Sequence, residues 1–261
     1  AVSGVQAKDQ DRVETVTYRK DAQKAVIRYV STNGNRVLTT DEVTGKSGEA
    51  IAYSTTSQIN EFKKQGYKLV SDEFTAGGAK VYDYDTARDQ VYTVTLSERV
   101  EPVNPDNPTP QPNTPVNPGQ PDSPRWPGTV ENLDNKESVS RTIHYVYEDG
   151  SKAKDDVVET LNFKRWSNVN LVTGHIDFQD WTTNDDTFDK VVSPTIAGYT
   201  ADKSEIPAVS GVQAKDQDRV ETVTYRKDAQ KAIIRYVSTN GNRVLTTDEV
   251  TGKSGEAIAY S

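Results

Sequence analysis

Residues Ala1–Ser54 return as Ala208–Ser261 with a single change, Val26 to Ile233. Near-identity over that length is the mark of tandem duplication. The chain is therefore expected to be cut from an array of small units rather than to fold around one large core. An enzyme needs one active site, whereas a binding protein gains reach and avidity from every copy. Without a methionine to initiate it, the chain is also expected to be an excised piece of a longer protein.

A weaker repeat lies inside the first. Ile27-Arg-Tyr29-Val30 before Gly34 is similar to Ile143-His-Tyr145-Val146 before Gly150, Gly66-Tyr67 to Gly198-Tyr199, and Val91–Thr95 to Val220–Thr224. The shared order is an opening strand, a glycine turn, a Gly-Tyr step and a closing strand, which divides the chain into modules over 23–99 and 137–228. Residues 1–20 then read as the closing segment of a preceding module, with a strand from Arg12 to Arg19. Residues 230–261 read as the incomplete start of the next, expected to be disordered alone or to pair with another sheet because its edge is bare.

In the first module, Lys24–Ser31 alternates with period two, placing Ala25, Ile27 and Tyr29 on one face. Asn33-Gly34-Asn35 is a hairpin turn signal, and Arg36–Val43 returns. Thr55 and Gln58 have capping-box spacing ahead of Ile59 and Phe62, so a helix is expected over 56–65, stopped by Gly66. Strands over 67–74, 81–84 and 91–96 complete a β-β-α-β-β order, that of a ubiquitin-like β-grasp. In the second module Arg141–Glu148, an Asp149-Gly150 turn, Val157–Arg165 and Val220–Tyr225 supply strands. The middle, 166–195, holds Trp166, Trp181 and Phe188 without a helical stripe and reads as a long irregular insertion. The fold class is accordingly α+β and mostly β: tandem ubiquitin-like β-grasp modules joined by a proline-rich linker.

Residues 100–136 form that linker. Most of the chain's 12 prolines fall in it. Proline removes backbone donors and fixes φ, which favours polyproline II, and residues 102–127 would span roughly 80 Å if extended. Trp126 at its end reads as an anchor onto the next module.

Composition narrows the function classes. There is no cysteine, so disulfides and thiolate sites are excluded. The 39 acidic and 31 basic residues, net −8, are mixed along the chain without a basic stripe, which argues against nucleic acid as a partner. No apolar run reaches the length of a membrane span. Gly45-Lys46-Ser47 ends like a phosphate loop but has Thr40 where the first glycine is required. His144 and His175 fit no metal spacing, His144 reading as a surface strand residue and His175 as a turn residue. Asp185, Asp186 and Asp189, beside Asn184, form an acidic cluster that lacks the calcium-loop pattern, with calcium the one metal it suggests. No catalytic residues are assigned and no cofactor is called for. If a glycan is the ligand, exposed aromatics should carry it, because sugar rings pack on flat apolar faces, and Tyr82, Tyr84 and Trp181 are the candidates.

The run Arg141-Thr-Ile-His-Tyr-Val-Tyr-Glu-Asp-Gly150, with Trp181-Thr182, Thr187-Phe188-Asp189, Ser193-Pro194 and Gly198-Tyr199, resembles the first domain of the mucus-binding (Mub) repeats of lactobacilli. Ile27–Val30, Thr44-Gly45-Lys46-Ser47-Gly48-Glu49 and Gly66-Tyr67 resemble the mucin-binding domain that follows it. The resemblance implies β-grasp-like domains on a wall-anchored extracellular protein of a Gram-positive gut bacterium. It also implies binding to mucin glycans and, as a further partner, immunoglobulin. A structural stalk that only projects another binding domain is the rival reading.

Overall fold

The computed structural model describes residues 13–120 and 122–260. The chain divides into two units. The first comprises 1–103, 109–133 and 168–177, and the second 104–108, 134–167 and 178–261.

Unit 1 is built on a four-stranded sheet. Strands β1 (Ala22–Ser31) and β2 (Val37–Lys46) form an antiparallel hairpin. Helix α1 (Thr56–Lys64) follows, then β3 (Tyr67–Asp72) and β4 (Gln90–Glu98). The sheet order is β2-β1-β4-β3, with β1 and β4 parallel at the centre and β3 antiparallel to β4. This is the β-grasp arrangement expected from the alternation. Ala25, Ile27 and Tyr29 are fully buried with Val94 and Leu96, and α1 adds Ile59 and Phe62 to the same core. Each of the larger side chains contributes about 1.5–3 kcal/mol by leaving water.

Two local expectations are corrected. Thr55 does not cap the helix with its side chain. Its hydroxyl donates instead to Asp72 at 2.6 Å, tying the helix start to the end of β3. The segment 81–84 is not a strand, because its contact reduces to a bridge between Ala50 and Val81.

The proline-rich stretch departs from the extended spacer read over 100–136. Val100–Val103 is strand β5, which joins a three-stranded sheet with β8 (Ser167–Asn170) and β9 (Ile176–Phe178), and Gly128–Asn132 is a 3-10 helix. Val103, Val130 and Val169 are buried together, with Trp126, Leu133 and Ile176 packed around them. Between these elements the chain doubles back on itself. Asn113 donates to the Trp126 carbonyl at 2.9 Å, Trp126 to Thr114 at 3.0 Å, and Val116 to Pro124 at 2.9 Å. Proline removes donors but leaves every carbonyl free to accept, and non-proline residues spaced among the prolines supply the N–H groups.

Unit 2 repeats the sheet pattern without the helix. Strand β6 (Lys136–Tyr147) pairs antiparallel with β7 (Lys152–Lys164) and parallel with β13 (Arg219–Lys227), and β11 (Tyr199–Ala201) pairs antiparallel with β13. Between β7 and β11 the chain first forms β8 and β9 and then the short β10 (Val191–Val192), which pairs with β12 (Glu205–Ile206). The insertion expected to be irregular over 166–195 thus carries β8, β9 and β10 between stretches without regular structure. The apolar residues of unit 2 divide between two clusters, one around Phe163 and Phe188 and one around Ile206 and Tyr225.

The two ends behave differently from the body. Residues 13–20 form no strand and are exposed, where a closing strand from Arg12 was expected; residues 1–12 lie outside the described residues. At the other end β14 (Ala229–Val237) and β15 (Val244–Lys253) make an ordered antiparallel hairpin. Among the described residues β14 pairs with β15 alone, so the bare edge expected of an incomplete module is present.

Candidate functional site

The aromatic candidates fall in different environments. Tyr82 is only 3% exposed and belongs to the unit 1 core. It offers no face to a ligand, which corrects its reading as a contact. Its ring lies against Gly45, where an added Cβ would sit 2.1 Å from Cε2. Its backbone N–H donates to Glu49, and its carbonyl accepts from Gly48. The Gly-Lys-Ser-Gly sequence that imitates a phosphate loop is therefore the seat of a tyrosine. Tyr84 is 79% exposed, and its hydroxyl end lies over Gly48.

Trp181 stands in unit 2 on the segment that follows β9 and runs beside the end of β7. Thr182 and Lys164 exchange backbone hydrogen bonds at 2.8 and 2.9 Å, which fixes the start of this loop. The Trp181 ring is half-buried against the cluster formed by Val139, Leu161, Phe163 and Val212. Arg165 lies 4.3 Å from its centroid and Lys215 5.5 Å, so the ring carries cations as well as an apolar contact. Arg165 is itself held by the Asp134 carboxylate at 3.0 Å and stacks on Phe178 at 4.0 Å. Hydrogen bonding to Asp134 raises the pKa of Lys215 above the usual ammonium range and keeps it charged.

Two concavities flank this loop and share Phe163 and Thr183. One, of about 490 Å³, has Phe163, Trp181 and Val212 as apolar lining and Asp180, Asp186 and Gln213 among its polar groups. The other, of about 410 Å³, runs along Thr160–Lys164 to Asn184 and Asp185. An apolar floor with convergent carboxylate and amide groups suits a polyhydroxylated ring. Sequence reading singled out Trp181 but missed Phe163, Asp180 and Gln213. Phe163 shares a strand face with Leu161, a signal that was available; Gln213 is brought in from far along the chain and left none.

The acidic cluster does not close into a metal cage. Asp185 accepts the Thr187 N–H, Asp186 accepts the Thr187 hydroxyl, and the Asp189 carbonyl is taken by Arg141. Among the described residues no three histidine, aspartate or glutamate side chains converge as a metal site. His144 is partly exposed and bonded to Asp156 at 2.9 Å, and His175 lies in the exposed turn before β9. Unit 1 holds a third concavity, of about 590 Å³, where Lys63, Lys68 and Arg99 face Glu101 and Asp122.

A family model described as a mucin binding domain matches residues 23–98, and one described as a Muc B2-like domain matches residues 130–229. The crystal structure of Mub-RV is 26% identical, with a TM-score of 0.62, over 79% of this chain and 99% of its own. A type 2 repeat of the mucus binding protein MUB from Lactobacillus reuteri is 28% identical, with a TM-score of 0.51, over 79% of this chain and 100% of its own. A MucBP domain of an adhesion protein from Pediococcus pentosaceus is 36% identical over 35% of this chain and 98% of its own, with a TM-score of 0.32. No curated protein sequence matches the chain.

Proposed function

We propose, for a chain that belongs to the mucus-binding repeat family, that it is an adhesive repeat of a bacterial surface protein and holds mucin glycoproteins by their glycans. The observation that carries this reading is the presence, in one chain, of a mucin binding domain and a Muc B2-like domain, together with the likeness to the Mub-RV structure. The near-identical copy of the first 54 residues supports it, because an array multiplies weak contacts into strong attachment. The reading assigns no catalytic step. It places the protein outside the cell, on a wall-anchored chain. Among the described residues no helix is long and apolar enough to cross a membrane.

Within the chain, the Trp181 concavity is the proposed glycan seat. Its apolar floor receives a sugar ring, and Asp180, Asp186 and Gln213 meet the hydroxyls. Tyr84 is a second contact on unit 1, since its exposed ring is free to stack. Immobilised mucin tests the function directly. The chain should bind it above an unrelated acidic protein, and Trp181→Ala should weaken that binding by ~1–2 kcal/mol while circular dichroism stays unchanged. Binding no better than the control returns the chain to a structural stalk. Immunoglobulin in the same format tests the further partner.

A further inference from the structure

Consecutive sheets in this chain are joined by the same one-residue clamp, and it occurs twice. In unit 1, β4 ends at Glu98, which faces Tyr67 in the register with β3. Arg99 follows. Its N–H donates to the Gly66 carbonyl at 2.8 Å, and its own carbonyl accepts the N–H of Leu171 at 2.9 Å, before β5 begins at Val100. In unit 2, β13 ends at Lys227, which faces Tyr199. Asp228 donates to the Gly198 carbonyl at 2.9 Å and accepts from the Ser254 N–H at 2.9 Å, before β14 begins at Ala229. The two joint residues hold equivalent register positions and carry opposite charges, so the clamp is made by their peptide groups.

The glycine of each Gly-Tyr step explains itself here. Gly66 has φ +94 and Gly198 has φ +79, a backbone region that other residues avoid. Each also has a residue from beside the next sheet pressed on its Cα. A Cβ on Gly66 would sit 2.8 Å from Leu171 Cβ and 2.9 Å from its backbone carbon; one on Gly198 would sit 3.1 Å from Ser254 Cβ. Side chains reinforce both joints. Asn170 donates to Glu98 at 2.7 Å in the first, and Thr200 to Asp228 at 2.5 Å in the second. Asp21, the repeat counterpart of Asp228, repeats the forward half: its carbonyl accepts the Ser47 N–H at 3.0 Å.

The geometry points to the Gly-Tyr corner as a docking surface whose partner is the next sheet of the same chain, making each hand-over within a unit a fixed joint rather than a hinge. One residue spans the gap, and both of its peptide groups are spoken for. The chain has no cysteine, so paired spin labels can be placed at will in the full chain. Thr40→Cys with Asp177→Cys brackets the first joint, and Asp155→Cys with Thr246→Cys the second. Each pair should give a single narrow distance distribution. Gly66→Val and Gly198→Val should each widen the distribution across its own joint by about twofold or more and leave the other unchanged. A broad distribution in the parent chain overturns the proposal, as do narrow distributions in both variants. Should a valine variant fail to fold, amide exchange in the parent chain decides. The N–H groups of Arg99, Leu171, Asp228 and Ser254 should be protected at least about 10-fold over intrinsic rates, and unprotected amides there also overturn the joint.

Discussion

Arg141 is 1% exposed in the middle of β6, and its guanidinium is used on every side. It pairs with Glu159 on β7 at 2.5 Å, donates to the Pro207 carbonyl at 3.0 Å and to the Asp189 carbonyl, and lies 5.1 Å from the Phe188 ring. A buried guanidinium holds only when its charge and donors are all met, and here they pin the irregular crossing of unit 2 to the sheet. Arg141→Met should therefore cost ~3–5 kcal/mol, because Glu159 and two carbonyls lose their partner, and Arg141→Lys should not restore it because a single ammonium cannot reproduce the fork. Urea denaturation followed by tryptophan fluorescence reads both. Gly45 and Gly252 make a second residue-level test within one repeated sequence. Gly45 touches the Tyr82 ring, whereas nothing lies nearer than 3.9 Å to a Cβ on Gly252. Gly45→Ala should destabilise unit 1 by ~1–3 kcal/mol, and Gly252→Ala should change stability by less than about 0.5 kcal/mol. Equal effects would show that the local sequence, not the tyrosine, sets the requirement. From sequence, Gly45 was legible only as a failed motif, because the ring that needs it lies far along the chain.

Strands β1 and β14 carry the same sequence save Val26 and Ile233, yet they are different elements. β1 is paired on both sides, by β2 and β4, and buries Tyr29 completely; among the described residues β14 is paired by β15 alone, and it leaves Tyr236 42% exposed. The hairpin itself survives the change of context. The hydroxyl chain Tyr29–Tyr53–Asp41 has its counterpart in Tyr236–Tyr260–Asp248. Burial and the bond to Asp41 raise the Tyr53 pKa above the ordinary tyrosine range. Intrinsic exchange rates nearly cancel between the copies, so β14 amides should exchange about 100-fold faster than their β1 counterparts. Equal rates would mean that the hairpin, not the sheet, supplies the stability. Period-two alternation made these strands legible, and Ile59 with Phe62 made α1 legible. The proline-rich stretch was not, because its apolar partners Val169 and Ile176 come after a whole further hairpin.

For the molecule as a whole, the copied sequence and thin modules made the repeat architecture readable in advance, including the β-grasp order. The candidate site was half readable: Trp181 stands out by type, but its neighbours Gln213 and Lys215 reach it only through the fold. The acidic loop shows the converse, since Asp185, Asp186 and Asp189 cluster in sequence while their acceptors serve the turn and the core. Adding calcium or chelator should therefore leave the melting temperature unchanged to within about 1 °C, and a marked rise with calcium would reveal a site assembled some other way. Alternation, turn chemistry and the absence of cysteine are properties of the chain alone, and they determined which segments are able to become strands and that cores must be apolar and small. Which of them do was decided by tertiary structure. Val223 and Tyr225 are buried in β13, while Val16 and Tyr18, the same residues in the earlier copy, are 72% and 91% exposed in no strand. A strand's ladder and its dry face are supplied by neighbours distant in sequence, and β6 stands beside only one of the two copies.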